Sequence, residues 1–329
     1  MYFSSPFELY VDLTGKCNLN CDFCMRKWKY YTGHKDDGRI VQALAEEIVK
    51  NDIPGIVITG GEPFLAPGIF EFIIFLKSYK KKIKITTNGT LVNGNTADFL
   101  KKYGVNEVQV SIHASYARLG DAMNGVRGSH AKTAAALDIM LEKNINVTTK
   151  TTVTARNIRD IPALCKMLSS KGIKKMKFSE VFQMGSAFRK NMKPSAAELK
   201  KLAAFFDNLD DERVIFQSET LNALKNKFAA VCSLGDKYAT TMEILADGTV
   251  LPCAYAVVFE EGLNIFKTGL KGAWEALTDY KKYNTLPDEC IGCPGASACS
   301  GGCPARARIY KTAKDPLCPV GKKNEKEMV

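Results

Sequence analysis

The feature that most constrains this chain is an alternation of short β-rich runs with amphipathic helical runs, which continues to residue 182. Short runs that read as β-strands fall at 7–13, 55–59, 83–87, 107–113, 145–153 and 174–181. Between them, 37–50, 68–79, 96–103, 129–143 and 157–170 carry apolar residues at helical spacing. Strands separated by helices cannot be joined by tight turns, so they pair in parallel through βαβ crossovers. Six such strands suit a partial barrel or an open doubly wound sheet. In either case ligands gather at the carboxyl ends of the strands. In 107–113, Val108, Val110 and Ile112 alternate with Gln109, Ser111 and His113. One face should therefore meet helices and the other should face a polar lumen. The run 145–153 repeats this, with Thr148, Lys150 and Thr152 on its polar face and Thr154 following. A further helix is expected from Ser195, whose capping box closes with Glu198, to residue 209.

A chain of 329 residues is long enough for one large domain and a small one. No apolar run reaches the ~18 residues that cross a bilayer. The longest candidate, 68–76, is short and carries Glu71. The start lacks a basic stretch followed by an apolar core, so no signal peptide is expected, and the reading places the protein in a reducing cytoplasm. The net charge of +11 could suit nucleic acid. However, the lysine runs at 80–82 and 171–177 flank strands and have no interleaved aromatic platform, so they read as solvated loops.

In such a compartment the 11 cysteines do not read as disulfides. Three lie in Cys17-Asn-Leu-Asn-Cys21-Asp-Phe-Cys24, on the loop after the first strand, and seven lie after residue 230. Only Cys165 stands apart; it shares a helical stripe with Ile161, Leu164 and Leu168 and reads as a buried apolar residue. Three thiolates on one short loop suit three irons of a cubane cluster. They also suit zinc if a fourth Cys or His joins them, and His34 lies ten residues on.

The Cys-x3-Cys-x2-Cys loop, with aromatic Phe23 before its third Cys, resembles that of the radical S-adenosylmethionine (SAM) superfamily. Gly60-Gly61-Glu62-Pro63 ends the second strand and looks like that family's GGEP segment, whose backbone and acidic residue receive the SAM ammonium. Thr86-Thr87-Asn88-Gly89 ends the third strand. The resemblance implies a partial (β/α)6 barrel. Cys17, Cys21 and Cys24 would hold a [4Fe–4S] cluster with one iron open to SAM. Phe23, Gly60, Gly61, Glu62, Pro63, Asn88 and Ser111 would lie about the cofactor. Lys150 and Thr152 are candidates for SAM or substrate contacts. Met184, in the segment 183–185 that ends the sixth strand, falls where the family passes backbone along the adenine. His113 stands where relatives often carry Asp.

The later cysteines read Cys232-x15-Gly248-x4-Cys253, Cys290-x2-Cys293-x5-Cys299-x3-Cys303, then Cys318. This pattern resembles the SPASM extension of one radical SAM branch, a small Cys-rich iron–sulfur domain with two auxiliary [4Fe–4S] clusters. By that resemblance Cys232, Cys253 and Cys303 would bind the first auxiliary cluster, and Cys290, Cys293, Cys299 and Cys318 the second, making three clusters in all. Residues 222–231 contain no Cys, so the fourth iron of the first auxiliary cluster would be open or held by another group. The expected division is a barrel at 1–190, a helical linker at 191–229 and the Cys-rich domain at 230–329, where regular periodicity fades.

Relatives of this kind mostly modify peptides or proteins, by oxidation or by cross-links such as thioethers. A ribosomally made peptide is thus the expected substrate, with small-molecule chemistry in cofactor or haem-type pathways as the alternative. A non-catalytic electron carrier is a third reading, disfavoured because a carrier needs no SAM pocket. Little precedes the first strand, where many peptide maturases carry a recognition domain, so leader recognition is expected from a separate protein. A flavodoxin or ferredoxin would donate electrons.

Overall fold

The computed structural model describes residues 5–27, 38–51, 53–226, 241–259, 262–278 and 286–320. The six expected strands form: β1 (Glu8–Asp12), β2 (Gly55–Thr59), β3 (Lys82–Thr87), β4 (Glu107–Ser111), β5 (Val147–Val153) and β6 (Met176–Glu180). Each pairs in parallel with the next. The crossovers are α1 (Gly38–Lys50), α2 (Ile69–Ser78), α3 (Gly94–Lys102), α4 (Ala117–Asn124), α5 (Ser129–Glu142) and α6 (Ile161–Ser170). α4 was not anticipated from sequence, because it spans only two turns and carries Gly120 in its middle.

The strand faces divide as their alternation requires. Leu9, Val11, Ile56, Ile58, Ile83, Ile85, Val108 and Val110 are buried against the helices, where Leu44, Ile48, Ile73 and Leu76 meet them. Cys165 belongs to this core, as its helical stripe implied. The opposite face carries Glu8, Tyr10, Lys84, Glu107 and Lys177. Lys84 Nζ lies 2.8 Å from Glu8 Oε1, which raises the lysine's pKa. Thr148 Oγ1 donates to Glu107 Oε1 at 2.8 Å. This lining of paired charges requires solvent or ligand beside it and cannot be a packed apolar core.

The sheet does not stop at six strands. After α7 (Ser186–Arg189), α8 (Ala196–Leu209) leads to β7 (Val214–Gln217), which pairs in parallel with β6. The capping box at α8 forms as expected, with Ser195 Oγ accepting from Glu198 N and Glu198 Oε2 accepting from Ser195 N. Phe206 of α8 packs between Phe178 and Phe216, with ring centroids 5.0 and 5.3 Å away. Beyond α9 (Glu219–Asn226), β8 (Thr241–Ile244) pairs in parallel with β1 on the far edge. β9 (Thr249–Leu251) and β10 (Leu263–Asn264) continue it antiparallel. The order is β10-β9-β8-β1-β2-β3-β4-β5-β6-β7, a ten-stranded sheet that stays open.

The chain on either side of residue 230 therefore contributes strands to one sheet. Regular structure returns in 241–278, which also holds α10 (Ile265–Thr278), broken at Gly269 where φ is 68°. These strands of two to four residues are too short to show a period in sequence. From 286 to 320 the expected sparse texture holds: a 3-10 turn, α11 (Ala296–Cys299) and α12 (Pro304–Tyr310). α12 packs through Ala305 and Ile309 onto Met184, Leu251 and Val257, a second core between the sheet and the Cys-rich unit. Among the described residues no helix is long and apolar enough to cross a membrane.

Candidate active site

The loop carrying Cys17, Cys21 and Cys24 leaves the carboxyl end of β1 and is held from several sides. Gly61 N donates to Thr14 O and Glu62 N to Lys16 O, both at 2.8 Å, so the segment after β2 continues the pairing along the loop. A Cβ on Gly61 would stand 2.1 Å from Lys16 O, and only glycine permits this approach. On another side Asn20 N and Asp22 N donate to Asn124 O and Met123 O at the end of α4. On a third, Ser186 N donates to Cys24 O at 3.0 Å, and Gly185, at φ +61°, leaves no room for a Cβ against that same oxygen. The Asp22 carboxylate is clamped between Arg156 and Lys190.

Glu62 and Asn88 join this loop to the end of β3. Glu62 is fully buried, and its carboxylate accepts from Thr87 Oγ1 at 2.7 Å, Asn88 N at 2.8 Å and Phe64 N at 3.3 Å. Burial raises its pKa, and these three donors oppose the shift. Pro63 opens the 3-10 turn that Glu62 caps. The Asn88 side chain donates to Asn18 Oδ1 at 2.9 Å and reaches Cys17 Sγ at 3.9 Å, while Leu19 N donates to the same sulfur at 3.4 Å. Donors of this kind favour a thiolate sulfur and tune a cluster bound to it.

Among the described residues no three His, Cys, Asp or Glu side chains converge on a single-ion site. Zinc draws its sulfur donors to about 2.3 Å from one point, whereas a cubane spreads its thiolates over separate irons. The three thiols of this loop are free of disulfides. Their donor chemistry and their N–H···S contacts fit an iron–sulfur cluster.

Deeper in the lumen, the Phe23 ring packs edge-on against His113, with centroids 4.4 Å apart. His113 Nδ1 accepts from Thr152 N at 3.1 Å, which assigns the ring proton to Nε2. Burial, with a smaller contribution from Lys150, pushes the imidazole pKa down to about 3. An unfolded chain takes up this proton near pH 6.5. Between these values the unfolded state binds more protons, so stability falls as the pH drops below 6.5, by about 1.4 kcal/mol per pH unit. His113→Gln should therefore flatten the loss of melting temperature between pH 6.5 and pH 4.5. An identical acid sensitivity in the variant would assign the effect to other groups.

Ser111, at the end of β4, is in register with Lys150 of β5. Enclosure by the lumen wall, then the charges of Lys177 and Arg26, push the Lys150 ammonium below the ordinary lysine range. The Met184 side chain, by contrast, is fully buried in the second core, so only its backbone is left for a ligand in the lumen.

Several site residues carry no signal in sequence. Arg26, two residues after Cys24, lies between the buried carboxylates of Asp12 and Glu243, with its guanidinium 3.1 Å from Glu243 Oε1. Burial raises the Glu243 pKa and Arg26 pulls it back. Glu243 comes from β8, so this ion pair ties the cysteine loop to the far edge of the sheet.

In the Cys-rich unit, Cys290, Cys293, Cys299 and Cys318 lie within electrostatic reach of one another. Burial raises the Cys290 and Cys299 thiols, and charge on their cysteine neighbours adds to this. Cys253 and Cys303 both neighbour Tyr255, whose hydroxyl is raised first by burial and then by their charges. Cys232, expected to join them, lies outside the described residues.

Residues 11–168 match the family described as the Radical SAM superfamily. The chain is 29% identical over 181 residues to pre-heme d1 synthase of Dinoroseobacter shibae, covering 53% of this chain and 43% of that protein. It is 24% identical to the AdoMet-dependent heme synthase of Methanosarcina barkeri over 95% of both chains. It is 25% identical to the antilisterial bacteriocin subtilosin biosynthesis protein AlbA of Bacillus subtilis, over 92% of this chain and 68% of AlbA. Thus it spans less than half of the first relative and nearly all of the second. In fold it is similar to Streptococcus suis SuiB bound to precursor peptide SuiA, with a TM-score of 0.78 and 21% identity over 97% of this chain and 77% of SuiB.

Proposed function

The chain is a radical SAM enzyme, and from that premise we propose that it takes hydrogen from a peptide or protein substrate, which is then oxidised or cross-linked. The observation that carries the reading is the cysteine loop fastened to Gly61, Glu62 and Asn88 on one flank, with a Cys-rich unit packed beside the same sheet. A [4Fe–4S] cluster held by Cys17, Cys21 and Cys24 supplies, when reduced, the electron that cleaves SAM and yields a carbon radical able to take hydrogen from an unactivated carbon.

The chain's own residues prepare this chemistry. Asn88 and Leu19 N orient the Cys17 sulfur. Gly60 and Gly61 let backbone approach the SAM methionine end. The Glu62 carboxylate, occupied by three protein donors, braces that segment. Ser111, Lys150 and Thr152 offer polar contacts on the lumen wall, Phe23 and His113 fill the space behind the loop, and the backbone at Met184 passes the adenine. Neutral at physiological pH, His113 can act there as an Nε2–H donor but not as an acid of ordinary histidine strength.

Two auxiliary [4Fe–4S] clusters complete the proposal, one on Cys232, Cys253 and Cys303 and one on Cys290, Cys293, Cys299 and Cys318. They would remove the electron left on the substrate radical or bind the substrate. A flavodoxin or ferredoxin would reduce the first cluster, a separate protein would recognise the peptide, and the enzyme would work in the cytoplasm.

Likeness to AlbA and to the peptide-bound SuiB supports a peptide. Likeness to a heme synthase over 95% of both chains favours a second reading, oxidation of a tetrapyrrole. Anaerobic reconstituted enzyme with SAM and dithionite can decide. It should convert a short peptide encoded beside its gene to a product about two hydrogens lighter and leave a porphyrin precursor unchanged. The reverse result establishes the second reading.

A further inference from the structure

A cavity of about 150 Å³ opens where the carboxyl end of β6 meets the Cys-rich unit. Lys150, Glu180 and Gln183 line it from the sheet side, and Tyr255, Arg306 and Tyr310 face them. Most of its polar groups are already matched. The Glu180 carboxylate accepts from Ser218 Oγ at 2.6 Å, Thr220 Oγ1 at 2.5 Å and Thr220 N at 3.1 Å, which caps α9. Arg306 is paired with Asp315 at 2.7 and 3.0 Å and with Glu219, and it lies 4.9 Å from the Phe182 ring centre. Tyr255 stacks on Phe182 at 3.7 Å.

Two groups are not matched. Gln183 is nine-tenths buried, and its Oε1 accepts no hydrogen bond, although Gln183 is engaged with Tyr310. Lys150 also lines the cavity, and among the described residues it forms no ion pair. A buried acceptor without a donor costs stability, and an ammonium that stands exposed on its strand without a counter-ion leaves its charge unpaired. A ligand bearing a carboxylate near an N–H relieves both.

We propose that this cavity is a substrate subsite for an acidic residue: the carboxylate pairs with Lys150, and a peptide N–H donates to Gln183 Oε1. The unmatched acceptor favours a peptide source over a tetrapyrrole propionate. A cavity of about 150 Å³ takes up a group the size of one benzene ring, so it holds a single carboxylate side chain, and the unmatched Gln183 Oε1 calls for an N–H beside that carboxylate, which a peptide backbone supplies. The inference rests on the reading of the chain as a peptide-modifying enzyme.

The test is calorimetric binding to anaerobic holoenzyme with SAM present. The probes are a blocked alanyl-glutamyl-alanine tripeptide, its glutaminyl counterpart and coproporphyrin III. The glutamyl peptide should bind about tenfold more tightly than the glutaminyl one, the scale of a charge-assisted hydrogen bond. Lys150→Gln should erase this preference and Lys150→Arg should keep it, which separates lost charge from lost folding. Gln183→Leu should weaken both peptides. Equal binding of the two peptides, no binding of either, or a preference that survives Lys150→Gln overturns the subsite. So does a loss of SAM affinity in Lys150→Gln as large as the loss for peptide, since Lys150 would then belong to the SAM site. Peptide binding without Lys150 dependence removes the subsite alone. Binding of coproporphyrin III in place of the peptides removes the peptide reading with it.

Discussion

Changing Cys17, Cys21 and Cys24 together to alanine is expected to abolish 5′-deoxyadenosine formation and to remove about four irons per chain, one cluster's worth. The reason is positional. The three thiols occupy one loop whose backbone is held by Gly61, Glu62, Met123, Asn124 and Ser186, so no distant cysteine can replace them without breaking those contacts. Cys165 is no substitute, because it is buried in the core beneath α6. Apart from Leu19 N–H to Cys17 Sγ, the backbone bonds that hold the loop do not use the cysteine side chains, so the barrel should stay folded. Iron analysis, circular dichroism and chromatographic assay of 5′-deoxyadenosine read the three parts. Undiminished product from the triple variant would falsify the assignment of this loop as the SAM-cleaving centre.

Cys290→Ala should remove about four irons more, one auxiliary cluster, and should open residues 286–320 to trypsin while the parallel sheet resists. This unit cannot hold itself together by apolar burial. Ile309 and Leu317 are its only buried large aliphatic side chains among the described residues, and Ile291 is 71% exposed. Ordering each residue costs about 1–2 kcal/mol, whereas burying one such side chain returns only about 1.5–3 kcal/mol. A polar clip helps. Asp315, 1% exposed, accepts from Cys303 N, Leu317 N and Arg306 NH1, which joins three turns of the unit. On the proposed reading, ligation by Cys290, Cys293, Cys299 and Cys318 supplies the rest, as metal binding does in other small stapled folds. Equal protease resistance of apo and holo protein would count against this. Zinc in place of the iron would make the array structural.

The parallel strands, their two faces and the crossover helices follow from local periodicity, which a single stretch of chain displays. Strand β4 is the clearest case: Val108 and Val110 are buried, and Gln109 and Ser111 are not. The capping box at Ser195 and Glu198 is equally local, two residues three positions apart that satisfy one another. The spacing of Cys17, Cys21 and Cys24 also stands in the sequence, because all three thiols share one loop.

Tertiary structure alone decided where the sheet ends and what holds the site. Strands β7 to β10 are two to four residues long, and their pairing with β6 and β1 comes from the surrounding fold rather than from any period of their own. Arg26 meets a carboxylate 217 positions away, and Asp22 meets basic groups 134 and 168 positions away. Gln183 and Lys150 share a cavity only because adjacent strands end beside α12. Periodicity and spacing record what a segment does to its neighbours along the chain. Buried ion pairs and cavities depend on which segments the sheet order brings together.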